Sequence, residues 1–287
     1  MKLVNKKRII NFIAIMIAAV FLVLPLLDCG QKEQYDIVFL GDSIIGNAGY
    51  DYSIAGIAGQ KLGKDVFNGA FGGTTMSVDG EAAWGSVTSS QWCMAKLADA
   101  IAYDDWKAQL ASMSYADYYG EINRQAFSYF KERMEKLSCI DFSKVQVLVI
   151  EHGTNDYNCG RALDNPENPY DITTFAGALR HTLSVLHKAY PEMRIILVTP
   201  MYCELGEGRT KPCYLQDYGA GTLDDYVALE KQIAEEFGVV YIDAYRESGI
   251  WEDNAGEYLY DGLHPNMDGI ALLGDFMAKQ LSLLGVE

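Results

Sequence analysis

At 287 residues, 49% hydrophobic and 22% charged, the chain is long enough for one large domain with a sizeable core. It is too ordinary in composition for a disordered, collagen-like or multi-span membrane protein. The formal net charge is −16, and with residues 1–30 set aside 19 basic side chains stand against 38 acidic ones, a surface that repels nucleic acid and anionic lipid and excludes nucleic-acid partners.

The N-terminal segment is the one route to a membrane. Lys2, Lys6, Lys7 and Arg8 precede an apolar run over residues 9–27, broken by Asn11 and ending near Pro25. A cationic start before such a run is the form of an export signal. Its length, close to that of a hydrocarbon core, suits an uncleaved anchor equally, with the cationic end left in the cytoplasm. Residues 26–29 are similar to a lipoprotein box that would be lipidated at Cys29, although Asp28 stands where that pattern wants a small residue. The expectation is a signal or anchor over 1–30, followed by one domain over 31–287 that is exported to the cell surface or beyond. No repeat, low-complexity stretch or linker divides the second part.

Along that part, residues 35–40, 145–151, 194–199 and 239–243 are short runs rich in β-branched residues and bounded by turn residues, with 65–68 as a shorter fifth. Such runs predict buried parallel strands. Between them, Ile172, Phe175, Leu179, Leu183 and Leu186 fall on one helical face, as do Leu223, Tyr226, Val227, Ile233 and Phe237. A last helix is expected after Pro265, with the proline at its first position. Alternating strands and helices predict an α/β fold with a parallel sheet covered on both faces and active residues at the strands' carboxyl ends. Residues 76–141 are too long for a plain crossover and read as a helical, aromatic-rich insert.

Every candidate motif is read as sitting at such a strand end. Gly41-Asp42-Ser43 follows the first and places a serine beside free backbone N–H groups, where it can also serve as a simple helix cap. A nucleophilic serine needs a base, and the base a carboxylate that holds its tautomer. Asp261-Gly-Leu-His264 offers both within one turn. His181 and His187 lie inside a helix pattern, and His152 suits a packing role. Acyl transfer also needs donors aimed at an oxyanion. Gly73, in the run 68–75, and Asn155, in Gly153-Thr-Asn-Asp156, can offer a backbone and a side-chain N–H, though either alone reads equally as a turn residue.

Taken in this order, the four blocks resemble the SGNH (GDSL) hydrolase family over about residues 35–284. The resemblance implies a three-layer α/β/α sandwich with a flavodoxin-like five-stranded parallel sheet, and no metal or organic cofactor. It also implies roles: Ser43 as nucleophile, His264 as base and Asp261 as its orienter, with the Ser43 N–H, Gly73 and Asn155 as the oxyanion hole. The implied activity is serine-dependent ester hydrolysis through an acyl-enzyme. Competing glycine-rich readings fail on spacing: residues 59–64 lack the Ser or Thr of a phosphate-binding loop, and 69–73 do not fit the dinucleotide pattern.

Six cysteines stand at 29, 93, 139, 159, 203 and 213 with no CxxC pair, which argues against structural zinc. In an oxidising compartment Cys203 and Cys213 could close a short loop, with free buried thiols the equal alternative. For substrate, Trp84, Trp92, Trp106, Tyr115, Tyr118, Tyr119, Tyr202 and Tyr214 either line a saccharide-stacking cleft or bury into the insert's own core. Deacetylation of extracellular carbohydrate leads among the ester substrates. A lipase or thioesterase acting on acyl lipids, and a non-catalytic glycan-binding surface module, are the alternatives.

Overall fold

Aliphatic runs with no polar side can pair only where both faces of the sheet are covered. In the computed structural model, which describes residues 32–46, 52–78, 91–112 and 130–286, five such runs pair in parallel. They are β1 (Ile37–Gly41), β2 (Val66–Asn68), β3 (Val147–Glu151), β4 (Arg194–Val198) and, after a short antiparallel hairpin of β5 (Glu204–Leu205) and β6 (Lys211–Pro212), β7 (Val240–Ile242). The order across the sheet is β2-β1-β3-β4-β7. Every residue of β1 and β3 is buried.

Helices cover the sheet. α1 (Ser43–Gly46) and α2 (Ile54–Leu62) link β1 to β2, while α3 (Met94–Tyr103), α4 (Lys107–Ala111) and α5 (Phe130–Ser138) precede β3. α6 (Thr154–Asn158) and α7 (Phe175–Ala189) follow it, then α8 (Leu223–Phe237), α9 (Ala244–Glu247), α10 (Ala255–Tyr258) and α11 (Met267–Leu283). Crossovers to β2 and to β4 leave the centre in opposite directions. Because such crossovers are right-handed, α2 falls on one face, and α7 with α8 on the other. The packing agrees, with α2 against α11 and α7 against both α3 and α8. The expected three-layer α/β/α sandwich is therefore present.

The order also places the site. The chain departs from β1 toward β2 and returns to pair β3 on β1's other side, so the carboxyl ends of β1 and β3 meet at a topological switch point, Gly41 opposite Glu151. Loop 69–75 is laid across the same end by Gly69 N–H to Phe39 O (2.8 Å) and Phe71 N–H to Gly41 O (2.9 Å).

Several expectations change. Pro265 is not the first residue of the last helix: Asn266 is the N-cap, its side chain accepting from Gly269 N–H, and a side-chain acceptor caps a helix as effectively as a proline opens one. Asp261 to His264 lie on a loop well past β7 rather than at a strand end. Trp92 (0% exposed) and Trp106 (6%) belong to the core, as does Tyr202, because Trp92 packs between Phe71 and Phe130 at ring separations of 4.9 and 5.6 Å. Cleft lining by these three is thereby corrected. Tyr214 is half-buried, and Trp84, Tyr115, Tyr118 and Tyr119 lie outside the described residues, as do residues 1–30 with Cys29. Cys203 and Cys213 are adjacent, buried and both free; Cys93 is also buried and Cys159 is exposed, whereas Cys139 is disulfide-bonded.

Candidate active site

Ser43 opens α1 directly after β1, a position fixed by its neighbour. Asp42 Oδ1 accepts Ile44 N–H at 2.9 Å, and the Asp42 side chain is fully buried. Burial pushes its carboxyl up to about 7, with Asp156 adding to the rise and the Ile44 N–H opposing it. Glu151, across the strand pair, is also buried. Burial and the charges of Asp42 and Glu230 hold it well above the ordinary carboxyl range. Among the described residues neither Glu151 carboxyl oxygen has a hydrogen-bond partner, and two buried acids this close cannot both carry a charge at little cost, so the neutral form of Glu151 is favoured beneath the serine.

The base arrives from the turn before α11. His264 Nε2 lies 3.0 Å from Ser43 Oγ, and Nδ1 lies 2.9 Å from Asp261 Oδ2. With the proton on Nδ1, donated to the carboxylate, Nε2 is the acceptor that faces the hydroxyl. Asp261 Oδ1 takes the backbone N–H groups of Leu263 (3.1 Å) and His264 (2.8 Å). Burial raises the Asp261 carboxyl, but the hydrogen bonds and charge of His264 outweigh it and hold the group below its usual range. Tyr260 stacks on the imidazole at 5.6 Å and 17°.

Gly73 has φ 79°, and a Cβ there would meet nothing within 4 Å. The glycine is required by its left-handed backbone and not by crowding. Asn155 Nδ2 donates to Asp42 Oδ2 (3.1 Å) and to Thr74 O (2.8 Å). Both amide hydrogens are thus engaged, and one of these bonds must loosen or be shared if Asn155 is to meet an oxyanion. His152 is buried and pushed down to about 3 by burial, so it is neutral, with Nε2 3.2 Å from Thr74 Oγ1. His181 lies 2.8 Å from Asp99 Oδ1, away from the site. The geometry therefore gathers Ser43, Asp261 and His264 into one hydrogen-bonded chain, with Gly73 on loop 69–75 and Asn155 in the first turn of α6 beside it.

Three supporting residues gave no signal in the sequence. Arg133 of α5, fully buried, donates from Nη1 to Gly46 O (2.9 Å) and Ala70 O (2.5 Å), tying the end of α1 to loop 69–75. Glu151 carried no motif of its own beyond closing a predicted strand. Arg209, on the β5–β6 hairpin, bonds Asp261 Oδ2. Only the glycines at 206 and 208 hinted at a tight turn there. Among the described residues no group of three or more His, Cys, Asp or Glu could hold a metal ion. A hydroxyl, an imidazole and a carboxylate in line, beside backbone donors, are equipped to attack an acyl carbon.

The sequence model of a GDSL-like lipase/acylhydrolase family matches residues 39–272. No curated protein matches the chain. Among solved structures it is similar to a protein from Lactobacillus plantarum at 19% identity and TM-score 0.58, covering 88% of this chain and 98% of that one. It is similar to a possible lipase from Chitinophaga pinensis DSM 2588 at 17% and 0.54, covering 88% and 100%. A third, Est24, a carbohydrate acetylesterase from Sinorhizobium meliloti, is similar at 14% and 0.50, again covering 88% and 100%. At these identities the likeness is one of fold.

Proposed function

The chain belongs to the GDSL-like lipase/acylhydrolase family and is an ester hydrolase, and from that premise we propose that it removes short acyl groups, acetyl above all, from carbohydrate outside the cell. The observation that carries the serine mechanism is the unbroken line from Ser43 Oγ to His264 Nε2 (3.0 Å) and from His264 Nδ1 to Asp261 Oδ2 (2.9 Å).

Ser43 Oγ attacks the ester carbonyl as His264 takes its proton at Nε2, and Asp261 stabilises the imidazolium that results. The oxyanion is met by the Ser43 and Gly73 N–H groups and by Asn155. The imidazolium then protonates the departing alcohol. Water, deprotonated by the same nitrogen, releases the acyl group from Ser43.

Two features support a short acyl group on a sugar. A long chain needs an apolar tunnel, and among the described residues the apolar cavity lined by Ile44, Ile45, Ile54, Leu273 and Phe276 holds only about 30 Å³, roughly the room for one water. Tyr260, 63% exposed and stacked on His264, offers an aromatic face beside the leaving group, as pyranose rings prefer. The carbohydrate acetylesterase among the similar structures fits the same chemistry. Export is supported by the basic and apolar residues 2–27 and by the disulfide at Cys139, since disulfides persist where the compartment is oxidising.

The test is a fluorophosphonate probe together with Ser43→Ala. The probe should label Ser43, and the variant should lose turnover on nitrophenyl acetate by about 10⁴- to 10⁶-fold. Acetate should be released from acetylated xylan faster than long-chain nitrophenyl esters are cleaved. Equal rates for Ser43→Ala and wild type would sink the mechanism, and a preference for long chains would sink the substrate.

A further inference from the structure

The β5–β6 hairpin is fastened to the turn that carries the base. Glu204 N–H bonds Gly262 O at 2.7 Å. A Cβ on Gly262 would lie 2.8 Å from Arg209 O and 2.9 Å from Glu204 O, so only glycine admits the hairpin this close. At the tip stands Arg209 with φ 50°, one of two non-glycine residues in the left-handed region among the described residues. A side chain held there is strained and persists only where its surroundings demand it. What they obtain is a guanidinium on Asp261 Oδ2, the oxygen that also receives His264 Nδ1–H.

We propose that Arg209 is a positioning residue for ester hydrolysis: it pins the Asp261 carboxylate against His264 and offsets part of its charge, so that the imidazole remains a proton acceptor for Ser43 at lower pH. The inference rests on the Ser43–His264–Asp261 mechanism above. A carboxylate alone would stabilise the imidazolium in the resting enzyme as well as in the transition state, and so hold the base in its useless form. A cation on the far side of the carboxylate opposes that. Among the described residues the charged and titratable groups around the imidazole are few. They are Asp261 and Tyr260 on its own turn, Arg209 and Glu204 on the hairpin, and Ser43 with Asp42 behind it. Glu257 of α10 and Asp268 of α11 are exposed to solvent. Arg209 is the single cation in this set.

The experiment measures kcat/KM for nitrophenyl acetate against pH in wild type, Arg209→Gln, Arg209→Asn and Arg209→Lys, at low ionic strength. Removing the cation should move the pH of half-maximal kcat/KM upward by about one unit in both Gln and Asn variants, and Lys should move it much less. Asparagine tolerates a positive φ better than most residues, so it separates charge from backbone. A Gln variant that is impaired while Asn matches wild type would make the role one of hairpin geometry and overturn the proposal. So would a fall in kcat/KM that is uniform across pH, or a Lys variant displaced as far as Gln. Full activity in Ser43→Ala would instead sink the mechanism beneath it, an outcome distinct from an unmoved pH limb in an enzyme that needs Ser43.

Discussion

The two halves of the site are built in opposite ways. On the nucleophile side Ser43, Gly73 and Asn155 hang from the adjacent ends of β1, β2 and β3, over buried acids whose charge is suppressed. On the base side His264 and Asp261 sit on a turn that follows no strand, partly exposed, with a charged carboxylate between an imidazole and a guanidinium. The first half is held by the sheet and the second by local hydrogen bonds and one ion pair. A change in the first half should therefore disturb geometry and stability, and a change in the second should disturb protonation.

Asn155 tests the first half most sharply. Its amide joins Asp42 to Thr74, so Asn155→Ala removes both the proposed oxyanion donor and a tie between two strand ends. Turnover should fall by about 10²- to 10³-fold, the usual effect of losing one such donor, while a thermal melt shows a folded protein. An unchanged rate would leave Asn155 a purely structural tie, and the sheet side would then supply backbone donors alone.

Arg133 extends the comparison to the insert. It reaches from α5 to carbonyls on α1 and loop 69–75, so a segment that would pass for a substrate cover from its length alone also braces the nucleophile side. Arg133→Met strips two buried carbonyls of a charged donor and should cost about 1–3 kcal/mol, a drop of several degrees in Tm for a domain of this size. Trp92 has the same lesson. Its aromatic neighbours are far apart in sequence, and a list of aromatics could not say which would be buried.

What the sequence made legible follows from how local each signal is. Hydrophobic runs located all five strands to within two residues, because burial on both faces leaves a mark on each residue of β1, β3 and β4. The four blocks singled out Ser43, Gly73, Asn155, Asp261 and His264, and the structure joins Ser43, His264 and Asp261 by hydrogen bonds, since each block combines a turn with a reactive side chain or a backbone donor. Arg133, Arg209 and Glu151 were illegible. Their partners lie 87 and 63 residues from Arg133 and 52 from Arg209, and no pattern along the chain encodes such pairings. Pro265 misled for the reverse reason: it is a strong local signal, yet the residue after it had the better cap.

The smallest effect, and the one that contrasts the two halves directly, is the pH dependence of stability. Asp42 is raised to about 7 and Glu151 and Glu230 are raised well above the usual carboxyl range by burial. In the unfolded chain the same groups titrate near pH 4. The folded state therefore binds their protons more tightly, so their contribution is present in full below about pH 4 and is lost as pH rises through their folded values, about 7 for Asp42. Asp261, held low by His264, and His152, pushed down by burial, have the opposite sign: the loss for Asp261 occurs only below the unfolded carboxyl value, and that for His152 sets in as pH falls below about 6.5. Between pH 5 and 8 the buried acids should dominate, and Tm should decline. Glu151→Gln keeps the shape of the side chain and removes one titrating group, so its decline should be shallower than that of wild type. A wild-type Tm that rises over this interval would mean that the buried acids beneath Ser43 do not favour their neutral forms, and the contrast between a charge-suppressed and a charge-paired half would collapse.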